Sequence, residues 1–189
     1  MPAAAIDVTN LIAGPGHLFH GAFGAAEPAG SAINAAYSGS AFTDVGATQD
    51  GLSLNVEREF FELEVDQVVD IPGRRLTKRD LQLVTNLAEP TLDNLSLVLN
   101  GGTVTASSGY EEYEPTDDTA ATQPTYKAVL FEGFAPNGMR RWVIARKVLS
   151  VESVESSYKK DGQVLFPVTF SCHYVSGSIR PFRIIDQTA

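Results

Sequence analysis

Cysteine is almost absent: Cys172 is the only one in 189 residues, which excludes an internal disulfide and a cysteine zinc site. Positive charge is scarce as well. No Lys or Arg precedes Arg58, and over the chain 14 Lys+Arg stand against 23 Asp+Glu, a net charge of -9. That balance argues against a protein that holds nucleic acid by its phosphates, and it suits one past which DNA slides without specific binding. No apolar run reaches the length of a membrane span. Met1-Pro2-Ala3-Ala4-Ala5 lacks the basic-then-apolar layout of a signal peptide, so the expectation is a chain made in a cytoplasm, with no membrane segment.

What is present is an ordinary globular composition, 43% hydrophobic and 20% charged, long enough for one domain with a real core. Residues 1–51 read as an N-terminal arm with a first strand at His17 to Phe23. The arm is rich in Gly and Ala, and its aromatics Phe19, Phe23, Tyr37 and Phe42 call for burial elsewhere in the structure or on another subunit. Residues 52–189 read as the main β domain.

That domain is organised around Leu52 to Asn100. From Phe61 to Val69, Phe61, Leu63, Val65 and Val69 alternate with Glu62, Glu64 and Asp66, the period of a strand with one buried and one wet face. Carboxylates on one face stand about 6.8 Å apart, so each neighbouring pair repels by roughly 0.6 kcal/mol in water, tolerable only facing solvent. Upstream, Leu52, Leu54, Val56 and Phe60 are apolar on the other parity. The phase therefore changes at Phe60-Phe61, which predicts a bulge or a break. Ile71-Pro72-Gly73-Arg74 predicts a turn, and Leu76 to Leu87 a third strand, basic at its start through Arg74, Arg75, Lys78 and Arg79.

A helix is expected over 90–100, with Pro90 at its first position, Gly101 after its last turn and Leu92, Leu95 and Leu99 on its buried face. Residues 101–124 are rich in Gly, Ser, Thr and Pro. Their acids, Glu111, Glu112, Glu114, Asp117 and Asp118, come without a base, and the segment reads as a long inserted loop that orders against a neighbouring subunit. The last third is β again. Ala135-Pro136-Asn137-Gly138 predicts a hairpin between strands at Tyr126 to Phe134 and Arg140 to Leu149. Val164 to Tyr174 alternates cleanly, and Ile179 to Ile185 forms a last strand or arm. The sum is a mainly β fold of two packed antiparallel sheets, a sandwich or barrel, with one short flanking helix.

No catalytic constellation emerges. His17 and His20 lie in a glycine-rich segment without a ligand set, and Cys172 and His173 are strand neighbours that point to opposite faces. The Glu62, Glu64 and Asp66 ladder has no apolar pocket to separate its acidities, and Gly14-Pro15-Gly16 is followed by neither helix nor lysine. No catalytic residue, metal site or cofactor is expected.

The strings DVGATQDGLSLNVEREFFELEVDQ and RRLTKRDLQLVTNLAEPTLDNLSLVLN resemble the major tail tube protein of long-tailed, siphovirus-like bacteriophages, especially those infecting actinobacteria. The resemblance covers Gly14 through Asn100 and more loosely the rest. It implies two packed sheets with a helix, hexameric rings stacked into a tube that conducts DNA, and a tape measure protein and a tail terminator as partners. Three expectations follow. Glu62, Glu64 and Asp66 line the lumen; Arg74, Arg75, Lys78 and Arg79 pair with a neighbour's acids; the loop carrying Glu111 to Asp118 joins rings. A tube or ring protein of a contractile injection system, a tail terminator, and a monomeric ligand-binding β-sandwich remain as alternatives.

Overall fold

Two stretches, Ala128-Val129-Leu130 and Trp142-Val143-Ile144-Ala145, are apolar without alternation, the pattern of strands covered on both faces. The computed structural model describes residues 7–116, 119 and 122–188. Its elements in chain order are β1 (His17–Ala22), β2 (Thr43–Asp44), β3 (Thr48–Leu63), β4 (Gly73–Leu87), α1 (Leu92–Val98), β5 (Thr103–Ser107), β6 (Tyr110–Glu114), β7 (Lys127–Phe134), β8 (Arg140–Ser150), β9 (Phe166–Cys172) and β10 (Phe182–Asp186). The two unbroken apolar stretches lie in β7 and β8, at the centre of a sheet ordered β2-β1-β7-β8-β9-β4-β3, with β5 and β6 forming a second sheet of two strands. All pairings are antiparallel. The fold is mainly β, with two antiparallel sheets and one helix, as the strand pattern predicts.

The large sheet branches at β8. One edge of β8 pairs with β7; the other pairs with β10 over Arg141 to Ala145 and with β9 over Val148 to Ser150. Each face then has its own cover. On one face Leu97 and Val98 of α1 join Leu83, Leu87, Val129, Val148 and Phe170 in the main core. Burying those two helix residues contributes roughly 3 to 6 kcal/mol, enough to dock a helix too short to persist alone. On the other face Phe42 joins Ala128, Leu130 and Ile144, with Phe19 and Tyr37 against them.

The arm is thus spent on its own sheet. The Tyr37 ring stands edge-on to Phe19 at 5.1 Å, to Phe42 at 5.9 Å and to Trp142 at 6.3 Å. Beneath it the buried Glu132 carboxylate accepts from the Tyr37 backbone N–H at 2.7 Å, the Trp142 indole at 3.3 Å and Arg140 at 2.5 Å. Further along the arm, Glu27 is clasped by both ends of the Arg146 guanidinium.

Three expectations change. The helix spans Leu92–Val98, because Thr91 is its N-cap and accepts from the Asn94 N–H at 3.2 Å, leaving Pro90 outside. Its buried face is Asn94, Leu97 and Val98, while Leu99 is exposed. The Asn94 amide sets that rotation, donating to Val45 O at 2.9 Å and Glu89 O at 2.8 Å. Just past its C-cap Leu99, Asn100 takes the left-handed conformation (φ 59°) expected of Gly101. Second, the stretch from 101 to 124 is not a plain loop: β5 and β6 pair through a turn at Gly109 (φ 91°) and pack on α1. Third, the strand expected to run to Val69 ends at Leu63, and the turn occupies 64–72, so Gly73 and Arg74 already belong to β4. Asp66 and Gln67 turn the chain and Pro72 offers no N–H, so neither side of the segment continues the ladder.

Candidate assembly surface

β3 and β4 continue past the body of the sheet as a two-stranded ribbon. β4 pairs with β9 only from Gln82 to Leu87; from Gly73 to Leu81 its one strand partner among the described residues is β3. The outward part of the ribbon is about eight residues on each strand, roughly 25 Å long. β3 is itself the terminal strand of the sheet and exposed along almost its whole length. Isolated two-stranded ribbons are marginal in water, and a long free edge invites a further strand.

The irregularity predicted at Phe60-Phe61 is there, but on the partner strand. Pairing passes from Glu59↔Lys78 to Phe60↔Leu76, so Thr77 has no opposite number. Its hydroxyl donates to Glu59 O at 3.0 Å. One extra residue in β4 alone reverses the parity of everything beyond it. Leu81 and Leu83 are odd and Leu76 is even, yet the bulge places all three on the helix-side face with Leu54, Val56 and Phe60. Apolar side chains therefore run from the core out along this face of the ribbon, interrupted at one register by Arg58 and Arg79. Phe61 and Leu63 stand on the opposite face. Phe60 is 51% and Phe61 61% exposed, so the ribbon presents aromatic surface on both sides.

The predicted charges fall as follows. Of the acidic ladder, Glu62 is on β3, but Glu64 and Asp66 lie in the turn, so the three do not share a strand face. Glu62 bonds Arg74 at 2.8 Å and Glu59 bonds Lys78 at 3.2 Å, both within the ribbon. Glu59 raises the Lys78 pKa first by that hydrogen bond and then by its charge. The basic cluster is thereby divided: Arg74 and Lys78 have internal acids, while Arg75 stands opposite Phe61 and Arg79 opposite Arg58. Glu111, Glu112 and Glu114 lie on β6. Alternation turns Glu112 and Glu114 to one side and Tyr113, whose hydroxyl donates to Gly101 O at 3.1 Å, to the other. Asp117 and Asp118 lie outside the described residues.

Sequence reasoning passed over the exposed residues Phe60, Phe61, Leu63 and Leu76 as surface, and over Glu57, Arg58 and Asp80. The signal for the first group was the phase change itself, since a strand whose apolar parity flips has no single inner face.

Among the described residues no group of three or more His, Cys, Asp or Glu is placed to hold a metal ion, and no helix is long and apolar enough to cross a membrane. Burial, helped by the charge of Asp80, pushes the Cys172 thiol up to about 12, far from the thiolate a nucleophile needs. Burial first, and Lys127 second, hold His20 below its ordinary value.

A family model described as phage tail tube protein matches residues 3–187. No curated protein matches the chain.

Proposed function

The chain belongs to the phage tail tube protein family, and from that premise we propose that it is the repeating subunit of a hexameric ring whose stacks form the conduit for DNA ejection. The observation that carries this reading is the β3–β4 ribbon: two strands standing clear of the core, with Phe60 and Leu76 exposed on one face and Phe61 and Leu63 on the other. A monomer gains nothing from such a surface, and apolar patches of this kind mark association sites. The free edge of β3 offers backbone groups to a neighbouring strand, so that joined edges close a ring.

The role is structural, with no catalytic step. Glu62, Glu64 and Asp66, now seen as a strand end and its turn, border the lumen, and a ring multiplies their charge into a wall that repels phosphates. Replacing the three with Lys slows DNA ejection; ejection at the ordinary rate places them elsewhere. Of the basic cluster, Arg75 and Arg79 are left to meet a neighbour's acids. The β5–β6 hairpin, with Glu111, Glu112 and Glu114, joins successive rings. A tape measure protein inside the tube and a tail terminator at its end are the partners, and assembly takes place in the cytoplasm of the bacterial host.

Negative-stain electron microscopy of the purified protein at high concentration tests the reading. Hollow tubes of stacked six-fold rings are expected. A protein that stays monomeric at every concentration, or forms filaments without a channel, overturns it.

A further inference from the structure

Two cross-strand pairs in consecutive registers of the ribbon carry like charges: Glu57 faces Asp80, and Arg58 faces Arg79. Like charges directly opposed weaken a strand pair. The arrangement is not forced, because exchanging residues 57 and 58 would set an arginine against Asp80 and a glutamate against Arg79. The next register is matched in just that way, Glu59 with Lys78, and so is Glu62 with Arg74 further out. Since strand neighbours point to opposite sides, the arginine pair lies on the helix-side face and the carboxylate pair on the other. Neither Glu57 nor Arg58 forms an ion pair among the described residues. Arg79 rests over the Phe182 ring at 5.8 Å, and Asp80 accepts from the Ser171 hydroxyl at 3.3 Å; the cation beside Glu57 and Asp80 on their face is Lys78, which is bonded to Glu59.

We propose that the helix-side face of one ribbon docks on the opposite face of a second copy's ribbon, setting Arg58 and Arg79 against that copy's Glu57 and Asp80. The inference rests on the self-assembly reading above and names its contact. The occupant is a second copy because the two like-charged pairs are one register apart on the same ribbon and so share their spacing. Val56 and Leu81 flank the arginines below and Phe60 and Leu76 above, while Phe61 and Leu63 lie tip-ward of the carboxylates, with Arg75 beside Phe61. A nucleic acid would explain the arginines but leave the carboxylates without a purpose. The acids of β6 lie along one strand and do not reproduce the cross-strand spacing. Because two different faces meet, the contact is head-to-tail, the kind that propagates rather than ending at a dimer.

The test uses two charge-reversed proteins, Arg58→Glu/Arg79→Glu and Glu57→Lys/Asp80→Lys, each checked for a native circular dichroism spectrum and melting curve. Each alone is expected to need at least about a tenfold higher concentration to form tubes, because every contact then sets like charges together. Mixed in equal amounts they are expected to assemble near the wild-type concentration, alternating along the contact. Arg58→Glu and Glu57→Lys, single changes on exposed β3 at residues outside the ion pairs among the described residues, repeat the experiment without touching Phe182 or Ser171; combined in one chain they recover assembly. Assembly of either folded double variant at the wild-type concentration, or no recovery on mixing, overturns the pairing while leaving the conduit reading intact if the wild type forms tubes. A wild type that never assembles overturns both.

Discussion

At the scale of the residue, Asn94 does more than its exposed helix neighbours suggest. It is buried, and its amide joins the start of the helix to the arm at Val45 O. Asn94→Leu keeps the branched shape but strips a partner from a buried carbonyl, so we expect a loss of about 2 kcal/mol, read as a fall in Tm of roughly 4 to 8 °C. An unchanged Tm would show that water replaces the amide. Glu27 is the second such residue. The Arg146 hydrogen bonds foremost hold its carboxyl below the usual value, and Arg141 does the same for Asp186. A carboxylate with a depressed pKa stabilises the fold above its unfolded value and loses that contribution as pH falls through the folded one. Stability should therefore decline on acidification below about pH 4.5, the ordinary value for Glu. Half-buried His20, held low, adds an earlier decline that starts near 6.5. Glu27→Gln should melt lower at neutral pH and show a shallower slope in the acid range; parallel melting curves for the two proteins would contradict this.

At the scale of the element, much could be read ahead of the structure and the misses share a cause. β7, β8 and β9 announced themselves because their burial depends on the one sheet they belong to. Pro136-Asn137-Gly138 turns as its residues require, with Asn137 (φ 63°) and Gly138 (φ 67°) both left-handed. The helix was placed but rotated wrongly, because three leucines outweighed an asparagine whose partners are remote in sequence. Glu62, Glu64 and Asp66 do not share one strand face, because alternation reports only which parity is apolar and the strand ends at Leu63. The parity change did locate the bulge to within one register, but alternation in one strand does not say which strand carries the extra residue. Inserting an alanine between Glu59 and Phe60 tests what the bulge does, because it gives Thr77 an opposite number. The core pairings of β4 lie on the other side of it, so the lengthened chain should keep a wild-type spectrum and nearly its Tm. Phe60 and Leu76 would then turn away from the helix-side face, and tubes should not form. Normal tubes from this insertion would show that their placement is incidental.

At the scale of the whole molecule, the arm and the helix cover opposite faces of one sheet, so the subunit completes its core unaided and keeps its ribbon for neighbours. The β5–β6 hairpin is the other appendage, resting on α1 and on the Gly101 carbonyl. Replacing residues 103–114 by a short glycine-serine link should leave a folded subunit that forms single rings without stacking. Sedimentation velocity separates that outcome from full-length tubes, which would show the hairpin dispensable. Ring number and lumen were beyond the reach of alternation and burial in one chain, since both are properties of surfaces that meet only between copies.

The connectivity has a further consequence, for the order of events after synthesis. The ribbon is local, its strands joined by a nine-residue turn, and hairpins of this kind close in about 1 to 10 μs. The central sheet must wait: β1 cannot add to it until β7, more than half the chain later, has been made. The adhesive part of the molecule thus forms, marginal and transient, before the part that makes it a subunit. Nascent chains on neighbouring ribosomes would meet through their ribbons first, and fast release and folding of the last third become a condition for orderly tubes rather than aggregates.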